Sequence, residues 1–485
     1  MKVLCLDIGA SSGRFIVVKH EDNHFTTDEV YRFSNGMEKD DNNHLIWDFK
    51  KLFKEIKQGL KLSLTKYKDI SSLGIDTWGV DYGTLNKNGE LIKDPFAYRD
   101  SRCEKAMNEL LNKFEYKDIY KRSGIQKLPF NTLFQLYDDI LNNREFTKIL
   151  LIPDLIAYFL TGKEFIELTN LSTTSLYNPI NKNIDEELLK LAMLDKKIMP
   201  ELIFPGTEIG YLKDDLVKEL NIYKIKIIAV ASHDSASAIA SIPLRCYSCY
   251  ISSGTWSLLG VELKDPIINE ISYKNNFTNE IGYNHSIRFL KNIMGLFIIQ
   301  EYRKSLIERG IDISFKEMLE NAKSIKSNEI FIDIDDPLFG TPFDMENKLI
   351  KYLTNTNQKH DLSIGEMCLA IYESMAFKYY EEFKKLVEIT KIEYEEMFIV
   401  GGGSNVDLLN QLTSNILNID VIEGEKEATV YGNALVQFIK LNEFNNLNQA
   451  RTYLKKDHSY MVYHPQNHDI YLEKYYRYKK IIERN

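Results

Sequence analysis

One aspartate of this chain follows a strand of the kind that positions ligands. Residues 224–240 read KIKIIAVASHDSASAIA, in which isoleucines alternate with lysines and then give way to a fully apolar run. Asp234 comes at the end of this predicted strand, and open α/β sheets hold their ligands at the carboxyl ends of their strands. The small residues after it allow a helix to begin close to a ligand. Asp234 is therefore a candidate ligand-binding residue, and an aspartate that only caps the helix fits the pattern equally well.

Two turns rich in glycine and serine are candidate anion sites. DIGASSGR (7–14) joins two predicted strands and offers backbone N–H groups and hydroxyls, without the spacing of a P-loop. Asp7, at the end of its strand, is placed to hold a hydrated metal ion. Residues 250–262, YISSGTWSLLGVE, repeat the plan of strand, turn and strand. Either turn alone suits a plain β-hairpin, but two matching turns favour the paired phosphate loops that a nucleoside triphosphate with magnesium needs.

A third glycine-rich turn lies between a predicted strand and a predicted helix. Gly401, Gly402 and Gly403 allow a flat ligand to approach the backbone closely, and a tight strand–helix turn explains them as well. The spacing is not GxGxxG, which disfavours a Rossmann dinucleotide site.

The elements that position these motifs alternate between strand and helix in both halves, which predicts an α/β protein. Residues 49–64 have helical spacing, and Ser363 with Glu366 forms a capping box for a helix that ends near residue 390. Residues 310–362 are charged and are predicted to form an irregular surface insertion, and peripheral helices are expected after 440. The repeated hairpin indicates a duplicated domain with a boundary near residue 245.

Composition excludes several classes of partner. A chain of 485 residues is too long for one ordinary core, so two domains are expected. The formal net charge of −9 leaves no broad basic field for a nucleic acid. No run approaches the ~20 apolar residues of a membrane span, and the amino terminus lacks a secretory apolar segment. We therefore predict a cytoplasmic protein without a membrane partner.

Several sequence motifs follow one another in order along the chain. They are DIGASSGR (7–14), GIDTWGVDY (74–82), YRDSR (98–102), SGIQKLPFNTLFQL (123–136), ASHDSASA (231–238), SSGTWSLLG (252–260), LKNIMGLFIIQ (290–300), GGGSN (401–405) and EATVYGN (427–433). Together they resemble the rhamnulokinases, which belong to the FGGY carbohydrate kinases within the actin-like ATPase superfamily. The resemblance covers about residues 2–440, and the combination of DIGASSGR with IDTWGVDY and LPFNTL is specific to that branch.

The resemblance implies a fold of two RNase-H-like (actin-like ATPase) domains around a central cleft. Residues 1–245 would form an N-terminal FGGY domain with the sugar side, the first phosphate loop and the catalytic aspartate. Residues 246–485 would form a C-terminal FGGY domain on the nucleotide side.

The resemblance also implies roles for single residues, with ATP and Mg²⁺ as the cofactors. Asp234 would be the proton acceptor, and Asp7 would hold the metal through water. The sugar would contact Gly79, His233, Asp234, Ser235 and Asn292. ATP would contact Ala10, Ser11, Ser12, Gly13, Arg14, Thr255, Gln300 and Gly402. The chain departs from the family in having serine at 235 for threonine, isoleucine at 281 for glycine and phenylalanine at 297 for tryptophan.

The implied reaction is the transfer of the γ-phosphoryl group of ATP to the 1-hydroxyl of L-rhamnulose. An FGGY kinase for another ketose or polyol, such as L-fuculose or a pentulose, would keep the phosphate loops and change the sugar contacts. A non-sugar actin-like ATPase would need the loops but no HDSASA base. An inactive relative is disfavoured because Asp7 and Asp234 are both present.

Overall fold

The computed structural model describes residues 1–458 and 460–483, which divide into two compact units. The first unit contains residues 1–243, 262–289 and the described part of 427–459. The second contains residues 244–261, 290–426 and the described part of 460–485.

Strands and helices alternate along most of the chain. The strands are β1 Lys2–Ile8, β2 Ser12–Glu21, β3 His24–Ser34, β4 Glu38–Lys39, β5 Leu45–Ile46, β6 Ser72–Thr77, β7 Tyr82–Leu85, β8 Lys148–Leu151, β9 Ile166–Glu167, β10 Tyr177–Asn178, β11 Asn183–Ile184, β12 Leu202–Ile203, β13 Glu208–Tyr211, β14 Lys226–Ile228, β15 Ser248–Ser253, β16 Trp256–Leu263, β17 Thr278–Ile281, β18 Ile287–Met294, β19 Glu396–Val400, β20 Asp420–Glu423 and β21 Val462–Tyr463. The helices are α1 Phe49–Lys66, α2 Arg102–Leu111, α3 Tyr116–Ser123, α4 Thr132–Leu141, α5 Ile152–Thr161, α6 Leu168–Leu171, α7 Glu186–Leu191, α8 Asp214–Leu220, α9 Asp234–Ser241, α10 Glu270–Lys274, α11 Phe297–Glu308, α12 Phe315–Ser324, α13 Met345–Asn355, α14 Ile364–Thr390, α15 Asp407–Leu417, α16 Ala428–Lys440, α17 Leu447–Asp457 and α18 His468–Ile482.

The first unit is built on a six-stranded sheet in the order β13-β14-β6-β1-β2-β3. Strand β1 is antiparallel to β2 and parallel to β6. Because side chains alternate across a strand, β1 supplies both faces of the sheet. Leu4 and Leu6 join a core with Ile56 of α1, whereas Val3 and Cys5 pack with α16 on the other face. The central strand of this mixed sheet is thus buried on both sides, because helices cover both of its faces.

The second unit repeats the hairpin of the first. Strands β15 and β16 pair as a hairpin, and β15 is parallel to β19, which in turn is parallel to β20. Helix α14 begins with the predicted capping box, in which Ser363 and Glu366 satisfy each other's backbone N–H groups, and it ends at Thr390 as predicted.

One expectation about the second unit is wrong, because residues 310–362 are not an irregular insertion. They contain α12 and α13, and Met318, Leu349 and Leu353 of these helices are fully buried. The apolar residues of both helices recur at helical spacing. The many charged residues between them make this helical repeat difficult to recognise in the sequence. Peripheral helices are present after residue 440, as expected. Within the described part of the chain, none of the helices combines the length and hydropathy needed to cross a bilayer.

Candidate active site

Three aspartates lie at neighbouring strand ends of the first unit. The parallel register of β1 and β6 sets Asp7 beside Asp76. The next segment continues the sheet, since the N–H of Thr77 donates to the carbonyl of Ser232 at 2.9 Å and Thr77 forms a bridge with His233. Asp234 follows at once. The structure therefore brings the predicted Asp7 and Asp234 to one edge of the sheet, together with Asp76, to which sequence reasoning assigned no role.

Asp7 has a cationic partner from its own hairpin. The register places Arg14 opposite Asp7, and the two side chains form an ion pair. Arg14 also reaches Glu427 at 2.6 Å between Nη1 and Oε2. Because one guanidinium joins both carboxylates, it fixes the orientation of Asp7 at the strand end.

Asp76 is fully buried and only half satisfied. Its Oδ2 accepts a hydrogen bond from Asn433 Nδ2 at 2.6 Å, while Oδ1 has no hydrogen-bond partner among the described residues. Burial, and after it the charge of Asp7, raises the pKa of the Asp76 carboxyl well above its usual range. The signal for Asp76 is present in the sequence, since it ends a buried strand in the motif GIDTWG.

The carboxylates of Asp7 and Asp76 are of the type that binds a hydrated divalent cation. Magnesium prefers oxygen ligands, keeps several waters and commonly takes only one or two carboxylates from a protein. The unpartnered Oδ1 of Asp76 is such a ligand beside Asp7. The described residues contain no group of three or more side chains that could hold a metal ion by themselves. A metal here would therefore need water or phosphate oxygens to complete its coordination.

Asp234 is the first residue of α9, and the cap position belongs to His233. Asp234 Oδ1 accepts from the backbone N–H of Ser235 at 2.5 Å and from Ser235 Oγ at 3.0 Å. Its side chain is 32% exposed, so a ligand can reach the carboxylate. Enclosure raises the pKa of Asp234, while His233 opposes the shift and the charge of Asp7 adds to it. A partly exposed carboxylate with a raised pKa is chemically suited to accept a proton.

His233 is held by a buried arginine. Arg288 Nη2 lies 3.0 Å from His233 Nδ1, and Arg288 is fully buried. Because a guanidinium can only donate, Nδ1 must accept, and a neutral ring then carries its proton on Nε2. His233 Nε2 is 3.5 Å from Asp234 Oδ1. The ring thus presents an N–H toward the region of the carboxylate.

Glu280 balances the charge of Arg288 in the interior. Glu280 Oε2 is 2.9 Å from Arg288 Nη2. Burial raises the pKa of Glu280, but Arg288 and the other polar neighbours of the carboxylate together outweigh burial, so the net shift is downward. Sequence reasoning missed this pair. An arginine within the apolar run SIRFL was the available signal.

Gly79 lies against the same group of residues. A Cβ at Gly79 would be 3.0 Å from Thr173 Oγ1 and 3.4 Å from His233 Nε2. The structure therefore brings Gly79, His233 and Asp234 together and adds Thr173, whose sequence context gave no warning of this position. A substituent at Gly79 would point into the space beside the histidine.

The first glycine-rich turn joins β1 to β2 as predicted. The N–H of Gly9 donates to the carbonyl of Ser12 at 2.9 Å, and Asn35 Nδ2 donates to the carbonyl of Gly9 at 2.8 Å. Among the described residues, no backbone oxygen accepts from the N–H groups of Ala10 and Ser11. These two groups remain available to an anion. Gly13 of the same hairpin is buried against the Phe33 ring. A Cβ at this position would lie 2.1 Å from a ring carbon, so the hairpin requires glycine there.

The second unit gathers three of its predicted residues around one turn. The carbonyl of Thr255 accepts from the N–H of Gly295 at 3.1 Å, just before α11, the helix that carries Gln300. The third glycine-rich turn packs on the strand before Thr255, since a Cβ at Gly403 would lie 1.9 Å from Ser253 Oγ. Gly402 has open space where its Cβ would be, as a site for a flat ligand requires. Asn292 is half-buried on β18.

Comparison with known proteins gives consistent matches along the chain. The model for the FGGY family of carbohydrate kinases, N-terminal domain, matches residues 2–240, and the C-terminal domain model matches residues 249–441. The chain is 38% identical over 470 residues to the rhamnulokinase of Bacillus subtilis (strain 168), covering 96% of this chain and 95% of the relative. It is 40% identical over 468 residues to the rhamnulokinase of Ligilactobacillus salivarius (strain UCC118), covering 96% and 95%.

Solved structures of low sequence identity share the fold. The ligand-bound xylulose kinase from Lactobacillus acidophilus matches with a TM-score of 0.82 at 18% identity, covering 100% of this chain and 98% of that one. The Plasmodium falciparum glycerol kinase with ADP matches with a TM-score of 0.77 at 18% identity, with the same coverage. The predicted α/β class with two RNase-H-like domains of the actin-like ATPase type is confirmed.

Proposed function

The chain belongs to the FGGY family of carbohydrate kinases, and we propose that it transfers the γ-phosphoryl group of ATP to the 1-hydroxyl of L-rhamnulose, giving L-rhamnulose 1-phosphate. The relatives that share 35–40% of its residues over nearly the whole chain are rhamnulokinases, which supports this ketose over L-fuculose or a pentulose. The solved structures at low identity include kinases for other substrates and support only the fold.

Asp234 accepts the proton of the attacking hydroxyl in this proposal. The observation that carries the assignment is its partly exposed carboxylate at the strand end, beside His233 and with a raised pKa. A general base with a pKa nearer to neutrality is a stronger proton acceptor than an ordinary aspartate, and a positioned base contributes roughly 10²–10⁴-fold. As the oxygen forms its bond to phosphorus, the proton passes to Asp234 and ADP leaves.

Three of the proposed sugar-binding residues lie in the first unit with this base. His233 and Ser235 adjoin it, and Gly79 leaves room beside the imidazole, which supports a ketose at that position. We also assign Asn292 to the sugar on the strength of the family resemblance. The Nε2–H of His233 is a hydrogen-bond donor for a sugar oxygen near Asp234. Ser235 Oγ, which donates its proton to Asp234, can accept from a sugar hydroxyl.

ATP binds through the two glycine-rich hairpin turns and the third turn. In the N-terminal domain, proposed as residues 1–245, the contacts come from Ala10, Ser11, Ser12, Gly13 and Arg14. In the C-terminal domain, proposed as residues 246–485, they come from Thr255, Gln300 and Gly402. The free N–H groups of the first turn and the open space at Gly402 support these assignments.

Magnesium completes the proposed site. Asp7 would hold it through water, and Oδ1 of Asp76, which has no partner among the described residues, would offer a second oxygen ligand. When bound, the ion offsets the negative charge of the phosphates, which matters because phosphoryl transfer depends mainly on positioning and charge neutralisation. Arg14 keeps Asp7 oriented toward that position.

An ADP-release assay over L-rhamnulose, L-fuculose, L-ribulose, D-xylulose and glycerol tests the proposed substrate. We expect the highest kcat/KM for L-rhamnulose, with the phosphate on the 1-hydroxyl by NMR. A clear preference for another ketose would overturn the substrate but keep the kinase.

Asp234→Asn tests the proposed base. The matched control is Asp214→Asn, because Asp214 is also the first residue of a helix but is exposed and pairs with Lys224. Asp234→Asn should lower kcat by at least about a hundredfold with folding intact, while Asp214→Asn should keep kcat. Normal turnover by Asp234→Asn would exclude the assigned role.

A further inference from the structure

The turn after Gly79 contains a strained residue. Val80 has a φ of 69°, in the left-handed region that β-branched residues almost never adopt. Such conformations persist only where the surrounding structure holds them, and they concentrate at functional sites. Val80 is buried and directly follows the glycine that lies against His233.

Two side chains of α4 hold the carbonyl of this residue. Thr132 Oγ1 donates to the carbonyl of Val80 at 2.6 Å, and Gln135 Nε2 lies 3.3 Å from the same oxygen. Both side chains are fully buried. They belong to the sequence motif LPFNTLFQL, to which the phosphoryl-transfer proposal assigns no role.

The next residue, Asp81, is held even more extensively. Its Oδ2 accepts from the indole N–H of Trp47 at 2.7 Å and from that of Trp78 at 3.0 Å. Its Oδ1 accepts from Gln135 Nε2 at 3.1 Å. Asp81 is completely buried, and burial raises its pKa to about 6 despite these donors. Gln135 Nε2 therefore contacts both the carbonyl of Val80 and the carboxylate of Asp81, and it also donates to the carbonyl of Phe130 at 2.9 Å. Thr132 is thus the better donor to Val80.

We propose that Thr132, Gln135 and Asp81 are positioning residues that clamp the strained 78–81 turn, so that Gly79 stays against His233 and the site discriminates between ketoses. The inference deepens the proposed function, since it rests on the assignment of Gly79 to the sugar. Its reason is physical: a β-branched residue at positive φ would relax without the clamp, and Gly79 would move with it. A pocket that holds its contacts firmly rejects a ketose whose hydroxyls differ, whereas a mobile turn accommodates it.

Thr132→Val and Thr132→Ser test the clamp. Valine keeps the volume but removes the donor, and serine keeps the hydroxyl. We expect Thr132→Val to lower kcat/KM for L-rhamnulose by about tenfold, since a buried carbonyl loses its better partner. The preference for L-rhamnulose over L-fuculose should fall as well, whereas KM for ATP stays within about twofold and Thr132→Ser restores most of the loss. Thr413→Val is the matched control, because Thr413 is also buried and donates to a carbonyl, that of Leu409, in the second unit.

Val80→Gly supplies a second, independent readout. Glycine adopts positive φ without strain, so the turn needs the clamp less. The effect of Thr132→Val on kcat/KM should therefore be smaller in the Val80→Gly background than in the wild type, which a double-mutant cycle measures. This cycle also applies if Thr132→Val alone folds poorly, because Val80→Gly should then recover its folding.

The outcomes separate this inference from the proposed function. If wild-type protein phosphorylates L-rhamnulose but Thr132→Val has unchanged kinetics and selectivity, the clamp is wrong and the kinase assignment remains. Strict additivity of the two substitutions would overturn it too. If the wild type ignores L-rhamnulose and prefers another ketose, the same cycle is run with that ketose, and the proposed substrate alone fails.

Discussion

The three aspartates at the strand ends are chemically identical residues that their surroundings make different. Asp7 is paired with Arg14, and Asp76 is buried with an amide on one oxygen. Asp234 alone combines partial exposure with a raised pKa. A charged partner stabilises an ionised carboxylate, whereas burial favours the protonated form. The division of labour into metal-oriented and proton-accepting carboxylates therefore follows from environment.

The raised pKa of Asp234 predicts a displaced acid limb in the pH profile. The base acts only when ionised, so kcat/KM falls as pH falls through its pKa in the free enzyme. Because enclosure and the charge of Asp7 raise that pKa, the limb should lie above the ~3.9 of an ordinary aspartate. Measuring kcat/KM for the ketose against pH, with circular dichroism to verify folding at each pH, checks this. A limb at or below the ordinary value contradicts the assigned environment.

The buried pair of Arg288 and Glu280 beside His233 predicts that substitutions can change the unfolding free energy and kcat/KM independently. Arg288→Met leaves Glu280 buried without its cation, which should cost about 3–5 kcal/mol of unfolding free energy. Adding Glu280→Leu removes the isolated charge and should recover most of that loss. Ketose kcat/KM should stay at least about tenfold low in the double variant, because His233 Nδ1 still lacks its donor.

Urea unfolding and steady-state kinetics on the same preparations measure both quantities. A double variant with wild-type kcat/KM would mean that Arg288 has only a structural role. A double variant as unstable as Arg288→Met would mean that the pair is not the cause of the stability loss.

At the scale of elements, local signals made most of the fold predictable. The capping box of α14 and the hairpin β1–β2 are written in consecutive residues, and both are confirmed. Residues 310–362 were misjudged because their helices are amphipathic with many charges. The bonds from Asn433 to Asp76 and from Arg288 to His233 join residues far apart in sequence, so no local pattern could reveal them. The sequence shows that these residues are present, but only the three-dimensional structure shows which of them form hydrogen bonds with one another.

The crossing of α9 and α16 predicts the effect of one methyl group. A Cβ at Gly432 would lie 1.7 Å from the carbonyl oxygen of Ser237 in α9, the helix that begins at Asp234. Gly432→Ala should therefore lower the unfolding free energy by about 3 kcal/mol, the upper end of overpacking costs. This loss outweighs the gain of up to ~1 kcal/mol that alanine brings inside a helix. Displacement of α9 should lower kcat as well.

Gly36→Ala is the matched control, because a Cβ at Gly36 would meet nothing within 4 Å. Urea unfolding of the two variants compares them directly. Equal stability would show that the helices adjust at no cost and that the close approach at Gly432 does not fix the start of α9.

At the scale of the whole molecule, the two units share one arrangement of strands. In the first unit, the hairpin β1–β2 has a glycine turn, and β1 is parallel to β6. In the second unit, the hairpin β15–β16 has a glycine turn, and β15 is parallel to β19. The internal repeat in the sequence is therefore a structural repeat. A duplicated turn that offers backbone N–H groups twice suits a ligand with several phosphates.

This duplication predicts the response of the chain to nucleotide. MgATP should slow amide hydrogen exchange at residues 8–14 and at residues 253–257 together, because bound phosphate oxygens accept from N–H groups and shield them from water. Strand β13, whose residues are exposed or half-buried, serves as an internal reference whose exchange should not change. Mass spectrometry of exchange with MgATP, with magnesium alone and without ligand checks the prediction.

Protection of only one turn would mean that the repeat is a relic of duplication and that one hairpin alone binds the phosphates. Protection of both assigns the repeat to nucleotide binding, since the two turns share no sequence neighbours through which a local effect could spread.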